Sequence, residues 1–135
     1  MAGEVFEAVR TVLAVREYES RPIPDDVLRR IAEAGRLTAS GGNQQPWHFV
    51  FVTDRQTLEE LGRLVRTAPY VATAAAAIVA AGERDNPIAV ADVSRAIQSM
   101  ILTAWADGVG SNWTGFASLD PVREAVGLPD TYKVI

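Results

Sequence analysis

The chain has no cysteine, which excludes disulfides, thiolate catalysis and cysteine-ligated metals but leaves its compartment open. Histidine is nearly as scarce. His48 is the sole one, and following Trp47 into an apolar run it reads as a packed or surface side chain rather than a ligand. A basic surface is missing too: 13 Lys and Arg stand against 17 Asp and Glu for a net charge of −4, and Arg29-Arg30 is the only adjacent basic pair. That balance excludes a nucleic-acid interface. The first residues, Met1-Ala-Gly-Glu-Val-Phe-Glu7, carry neither a basic n-region nor an apolar h-region, so no secretory leader is expected and the cytoplasm is the default location. No repeat, low-complexity tract or linker interrupts the sequence, and nothing in it looks like a nucleophile, a metal cage or a phosphate loop.

What remains is an ordinary folded composition. Of the 135 residues 48% are apolar and 22% charged, as in a single domain with a core of its own. The longest weakly polar stretch, Ile88 to Ala106, contains Asp92, Arg95 and Gln98. A lone membrane helix would not carry these cheaply, so it reads as a buried helix.

Helical spacing of Val5, Phe6, Val9, Val12 and Leu13 predicts a helix over Gly3–Leu13. Val15 to Glu19 is extended, and Arg21-Pro-Ile-Pro24 forbids helix. Proline then opens a second helix with Asp25 and Asp26 in its first turn, where the dipole favours negative charge. Its apolar face is Val27, Leu28, Ile31, Ala34, Gly35 and Leu37. His48 to Thr53 is a strand by its β-branched and aromatic run. Asp54 suits the N-cap of a third helix carrying Leu58, Leu61, Leu64 and Val65. Ala68 to Gly82 fits helix by its alanines and buried strand by Ile78-Val79; the division expected is a short helical turn, then a strand near Ala75–Ala81. Ile88 to Asp107 is the longest helix, with Gly108 its C-terminal cap. Val109–Thr114 is a candidate strand, Asp120–Val126 a short helix, and Tyr132–Ile135 the opening of a last strand. The carboxylates Asp25, Asp26, Glu33, Glu59 and Glu60 read as caps and solvated helix faces.

The polar positions Asp92, Arg95, Ser99 and Thr103 of the long helix form one narrow stripe, and a helix apolar on most of its circumference must be covered on several sides. Two arrangements do this: a homodimer, favoured here, or a central helix wrapped by its own chain.

The stretch with the most chemistry in it is Thr38-Ala-Ser-Gly-Gly-Asn-Gln-Gln-Pro-Trp47. Small residues let a backbone approach a flat ligand closely, and amide side chains offer donors and acceptors at its edges. An ordinary helix end and turn would use the same Gly-Gly-Asn chemistry.

Three segments together resemble the flavin-dependent nitroreductases. Arg16-Glu-Tyr18 with Arg21-Pro-Ile-Pro-Asp-Asp-Val-Leu28 is similar to the family's opening basic motif and first long helix. Ala39-Ser-Gly-Gly-Asn-Gln-Gln-Pro-Trp47 is very close to its Pro-Ser-x-x-Asn-x-Gln-Pro-Trp, the specific motif of the three. Ala96-Ile-Gln-Ser-Met-Ile-Leu with Asp107-Gly-Val-Gly-Ser-Asn-Trp-Thr-Gly-Phe116 is similar to its central helix and the turn after it.

The resemblance covers essentially the whole chain. It implies one domain over 1–135 with an α+β fold, a central mixed β-sheet flanked by helices, homodimeric, with FMN at the subunit interface. It implies an oxidoreductase that passes hydride from NAD(P)H through the flavin to a small organic acceptor of nitroaromatic or quinone type, without metal and without a catalytic side chain of its own. The alternative is a diverged, non-catalytic dimer that binds flavin or another planar ligand.

Ser40, Gly41, Asn43 and Gln45 match positions that contact the flavin's pyrimidine edge and ribityl hydroxyls. Arg16 matches the basic position near N1 and O2, where a cation stabilises negative charge. Thr114 and Gly115 match positions whose N–H groups point at N5. Trp47 reads as core, and Trp113, where the family usually has a smaller apolar residue, reads either as pocket lining or as buried elsewhere.

The match fails in two places. Val12, Leu13 and Ala14 stand where the family has Arg-x-Ser for the phosphate and ribityl chain, and the family's C-terminal strand and basic arm are lacking. A missing charge-assisted phosphate contact is worth roughly 1.5–3 kcal/mol. Either another basic residue, Arg10 being nearest in sequence, serves the phosphate, or the flavin is bound weakly or differs from FMN.

Overall fold

The computed structural model describes residues 2–115 and 119–135. Its sheet is sorted by the alternation of two strands. Along β1 (Trp47–Val52) and β2 (Ala77–Glu83) successive side chains point to opposite faces. Val50, Val52, Val79 and Ala81 go to one core, with Leu58, Leu61 and Val65 of the helix α3 (Arg55–Leu64) and its end, and Val122 of α5 (Asp120–Ala125). Trp47, Phe49, Phe51, Ile78 and Ala80 go to the other, with Ile31 of α2 (Asp25–Leu37) and Val93, Ile97, Met100 and Ala104 of α4 (Ala89–Ala106). Helices therefore cover both faces, as a sheet of apolar strands requires.

β2 is central. It pairs antiparallel with β1 from Trp47 opposite Gly82 to Val52 opposite Ala77, and antiparallel with β3 (Tyr132–Val134) over Ala81–Glu83. The one parallel pairing among the described residues is an isolated bridge between Ala14 and Ser111. The run Val109–Thr114 was expected to be a strand and contributes only that bridge, because no described strand lies alongside to extend a ladder. Phe116, the last residue of the third sequence motif, lies outside the described residues.

The remaining elements follow the sequence. The helix α1 spans Ala2–Thr11, and Trp105 of α4 donates its indole N–H to Thr11 Oγ1 at 2.9 Å. Asp54 caps α3 by accepting from the Thr57 amide and hydroxyl, both at 2.8 Å, which holds its carboxyl below the usual range. The ambiguous stretch after α3 is a 3-10 turn, Pro69–Thr73, leading into β2. α4 ends with Gly108 at φ 79°, and Val109 N–H reaches back to Ala104 O at 2.8 Å, the hydrogen bond of a glycine C-cap. No helix among the described residues is long and apolar enough to cross a membrane.

α4 is covered more completely by its own chain than the sequence suggests, and the polar stripe is part of the reason. Asp92 is 4% exposed, and Ser99 accepts a hydrogen bond from Thr38 Oγ1 at the end of α2. The exposed side carries Val90, Ala91 and Gln98 together with Arg95 of the stripe. Val5, Phe6 and Val9 on α1, and Leu13 just after it, are each more than half exposed.

α3 approaches the 3-10 turn with no room for a side chain at Gly62. A Cβ there would lie 2.7 Å from Ala72 Cβ and 2.9 Å from the Ala72 backbone nitrogen. Backbone cannot swing aside as a side chain can, so Gly62→Ala is expected to destabilise the fold by about 1–3 kcal/mol, measured by urea denaturation.

Candidate functional site

The segment between α2 and β1 forms a short, self-bonded loop. Gly41–Asn43 makes a single 3-10 turn, with Asn43 N–H on Ser40 O at 3.0 Å and Gln44 N–H on Gly41 O at 3.1 Å. Ser40 Oγ accepts from Gln45 N–H at 2.9 Å, folding the segment back on itself. Three of its residues adopt left-handed backbone: Gly42 (φ 57°), Asn43 (φ 54°) and Gln45 (φ 52°). Glycine does so freely and asparagine tolerates it. Glutamine does not, and such strain costs on the order of 1–3 kcal/mol and clusters at ligand sites.

The side chains finish the loop. Gln45 Nε2 donates to Asn43 Oδ1 at 2.9 Å. That bond uses Asn43's acceptor and Gln45's donor, leaving Asn43's NH2 and Gln45's carbonyl for a ligand. Both residues are exposed, as is Gly41. Ties from Ser40–Gln45 to the rest of the chain include Asn86 Nδ2 donating to Gln44 Oε1 at 2.9 Å and Gly41 N–H donating to Asp92 Oδ2 at 3.1 Å.

A second group gathers around the bridge between Ala14 and Ser111. Val15 N–H bonds Ser111 O at 2.9 Å, which sets the exposed Arg16 alongside the 111–115 segment that holds Thr114 and Gly115. A tyrosine pair braces this region. Tyr18 and Tyr70 have ring centroids 6.3 Å apart, the Tyr18 hydroxyl donates to Val15 O at 2.7 Å, and Asn112 Nδ2 donates to the Tyr70 hydroxyl. Burial and then Tyr70 hold the Tyr18 phenol above its usual pKa, while Arg16 pulls it down. Among the described residues nothing accepts from the Thr114 or Gly115 N–H, and Arg16 has no ion-pair partner.

The seven residues singled out in the sequence thus fall into two groups. Ser40, Gly41, Asn43 and Gln45 sit by Asp92 in the first turn of α4; Arg16, Thr114 and Gly115 sit on the segments that the Ala14–Ser111 bridge joins.

A cavity of about 700 Å³ opens beside the second group, lined by Ile31, Ile78, Met100, Thr114 and Ile135 among others. It runs along the part of β2 that β3 does not pair with, and none of the Ser40–Gln45 residues lines it. Trp113, 43% exposed, is at its wall. Trp47 is partly buried and stacks on Phe49 with centroids 6.2 Å apart, and His48 is exposed on the strand beside Tyr132. Arg10 is paired with Glu7 one turn earlier in its own helix.

Sequence reasoning missed two features. Asp92 was counted in a polar stripe rather than under the loop; its signal was a carboxylate in the first turn of an otherwise apolar helix. The Tyr18, Tyr70 and Asn112 cluster had no local signal, because its members are far apart in the chain.

The model of the nitroreductase family matches residues 10–76 and 63–135. An Archaeoglobus fulgidus protein, "Putative NADH dehydrogenase/NAD(P)H nitroreductase", is 31% identical over 97% of this chain and 80% of its own length. A crystal structure of a Parabacteroides distasonis protein of the same name superposes with a TM-score of 0.92 at 27% identity, covering 98% of this chain and 82% of that one. A Bacteroides fragilis nitroreductase solved with bound FMN superposes with a TM-score of 0.85 at 28% identity, covering 97% and 83%.

Loss of the Ser40 hydroxyl leaves the Gln45 N–H without its acceptor. Ser40→Ala is expected to cost about 0.5–1.5 kcal/mol by chemical denaturation. It should also speed Gln45 amide hydrogen exchange while β1 amides stay protected.

Proposed function

Because this chain belongs to the nitroreductase family and is an oxidoreductase, we propose that it binds FMN between two copies of itself and uses NAD(P)H to reduce a small organic acceptor of the nitroaromatic or quinone type. The observation that carries this reading is the Ser40–Gln45 loop, with three left-handed residues and an unspent amide donor and acceptor held at its surface.

The groups present suit the ring of the flavin better than its tail. Asn43 and Gln45 offer a donor and an acceptor to a heterocycle edge with both kinds of atom. Thr114 and Gly115 offer N–H groups for N5, and Arg16 offers a positive charge for the N1–O2 edge. For the phosphate the fit is poorer: Val12, Leu13 and Ala14 have no donor to offer from their side chains, and Arg10 is engaged by Glu7. FMN, when bound, supplies the hydride acceptance and release. The protein's own work is then to orient the ring, set the charge at its edges and limit access by water.

A homodimer is part of the same reading. No residue of the Ser40–Gln45 loop lines the cavity beside Thr114, so a complete site would take the loop from one copy and the Arg16 group from the other. The exposed Val5, Phe6 and Val9 of α1, Leu13 just after it and Val90 of α4 supply apolar surface of the kind that interfaces cover.

The first measurement is the visible spectrum of the purified protein, before and after incubation with FMN. The expected result is retained flavin absorbance, a rise in melting temperature with FMN, and NADH or NADPH oxidation once a quinone is supplied. Protein that stays colourless, with an unmoved melting curve, would instead favour a non-catalytic planar-ligand dimer. In the reconstituted protein, Arg16→Ala is expected to slow NAD(P)H-driven flavin reduction by about tenfold or more at an unchanged melting temperature, read by stopped-flow absorbance.

A further inference from the structure

A carboxylate buried in an apolar helix calls for a reason. Asp92 is 4% exposed, in the first turn of α4, between Ala89 and Val93, which are more buried still. The helix dipole favours a negative charge at this end, but only modestly. Its ion pair, with Arg95 Nη1 at 3.4 Å, is loose and half exposed on the arginine side. An apolar residue of similar size would serve the core at least as well, since buried charges contribute little net stability unless their geometry demands them.

The geometry that does demand Asp92 is the loop. Its Oδ2 accepts the Gly41 N–H at 3.1 Å. The other backbone bonds from Ser40 to Gln45 are internal and preserve its shape, while Glu83 N–H fixes only the exit, at Pro46 O, 2.9 Å away. Gly41 also rests on Ile88, one turn before Asp92 on the same helix: a Cβ at position 41 would lie 2.7 Å from Ile88 Cδ1. One residue is thus both pressed against the start of α4 and hydrogen-bonded to it, immediately before the left-handed run begins.

We propose that Asp92 is a positioning residue, holding Gly41 through its N–H and so setting where Asn43 and Gln45 present their free amide groups. The proposal rests on the reading that this loop meets the flavin ring. A charged acceptor suits the task because such a bond is stronger and more directional than a neutral one. The strained backbone of Asn43 and Gln45 is thereby held from two points: the loop is tethered at its entry by Gly41 and at its middle by the bond from Asn86 to Gln44.

The test compares Asp92→Ala and Asp92→Asn with Leu61→Ala, a core variant on the opposite face of the sheet, in the full chain. FMN titrations, melting curves and Gly41 amide exchange are read together. Asp92→Ala is expected to weaken FMN binding by about tenfold or more, beyond any loss in a Leu61→Ala protein of equal or lower melting temperature. Asp92→Asn, which keeps an oxygen for the Gly41 N–H, should recover most of that loss. Equal losses in Asp92→Ala and Leu61→Ala would overturn the proposal, as would Asp92→Ala binding like the wild type. Should the wild type bind no FMN, the flavin reading fails and the exchange data decide. A Gly41 amide protected in the wild type and unprotected in Asp92→Ala upholds the tether; one that exchanges equally fast in both overturns it.

Discussion

Side chains on β1 and β2 alternate between two cores, and each core is closed by a different pair of helices. Because Ala80 faces α4 while Val79 and Ala81 face α3 and α5, a slip of one residue in the pairing would exchange the two cores and bury neither properly. This constraint places α4 across one face of the sheet with its start beside the loop that enters β1. The bond from Glu83 N–H to Pro46 O at 2.9 Å closes the same corner from the β2 side. The loop from Ser40 to Gln45 is therefore framed by the sheet below and the helix beside it, and its strained backbone has a rigid support.

The two groups are supported in different ways. Arg16, Thr114 and Gly115 are collected by a parallel bridge, a tyrosine pair and an asparagine, contacts from segments that share no helix or strand. The loop is collected by α4. The homodimer proposed above would join the loop of one copy to the Arg16 group of the other, since closed two-fold pairing is the commonest oligomeric arrangement. The apolar residues exposed on α1 fit the same proposal.

Chemical economy is the other theme. The groups of the proposed site are backbone N–H donors, two amides, a hydroxyl and one guanidinium, and none of them is a nucleophile or a metal ligand. Such groups orient and polarise a bound ring without reacting with it. The weak provision for a phosphate, with apolar Val12 and Leu13 and an Arg10 committed to Glu7, shifts the work of binding toward the ring itself.

Much of the architecture was legible from residue order alone, since it depends on local rules. Spacing of apolar residues predicts α1 to α4, Asp54 and Gly108 mark a start and a stop, and the β-branched run after Trp47 marks β1. The motif through Gln45-Pro-Trp47 picked out the loop because its residue types are rarely combined by chance. Other features answer to neighbours distant in the chain. Val109–Thr114 has strand-like residues but lies beside only one partner residue, Ala14, so propensity had nothing to pair with. By spacing Asp92 belongs to a polar stripe on the long helix, and only the fold lays the loop, fifty-one residues away, over it. Local pattern thus determined the elements and the identity of the loop, whereas which carboxylate holds it was decided by packing, because burial and contact belong to pairs of segments and not to either one.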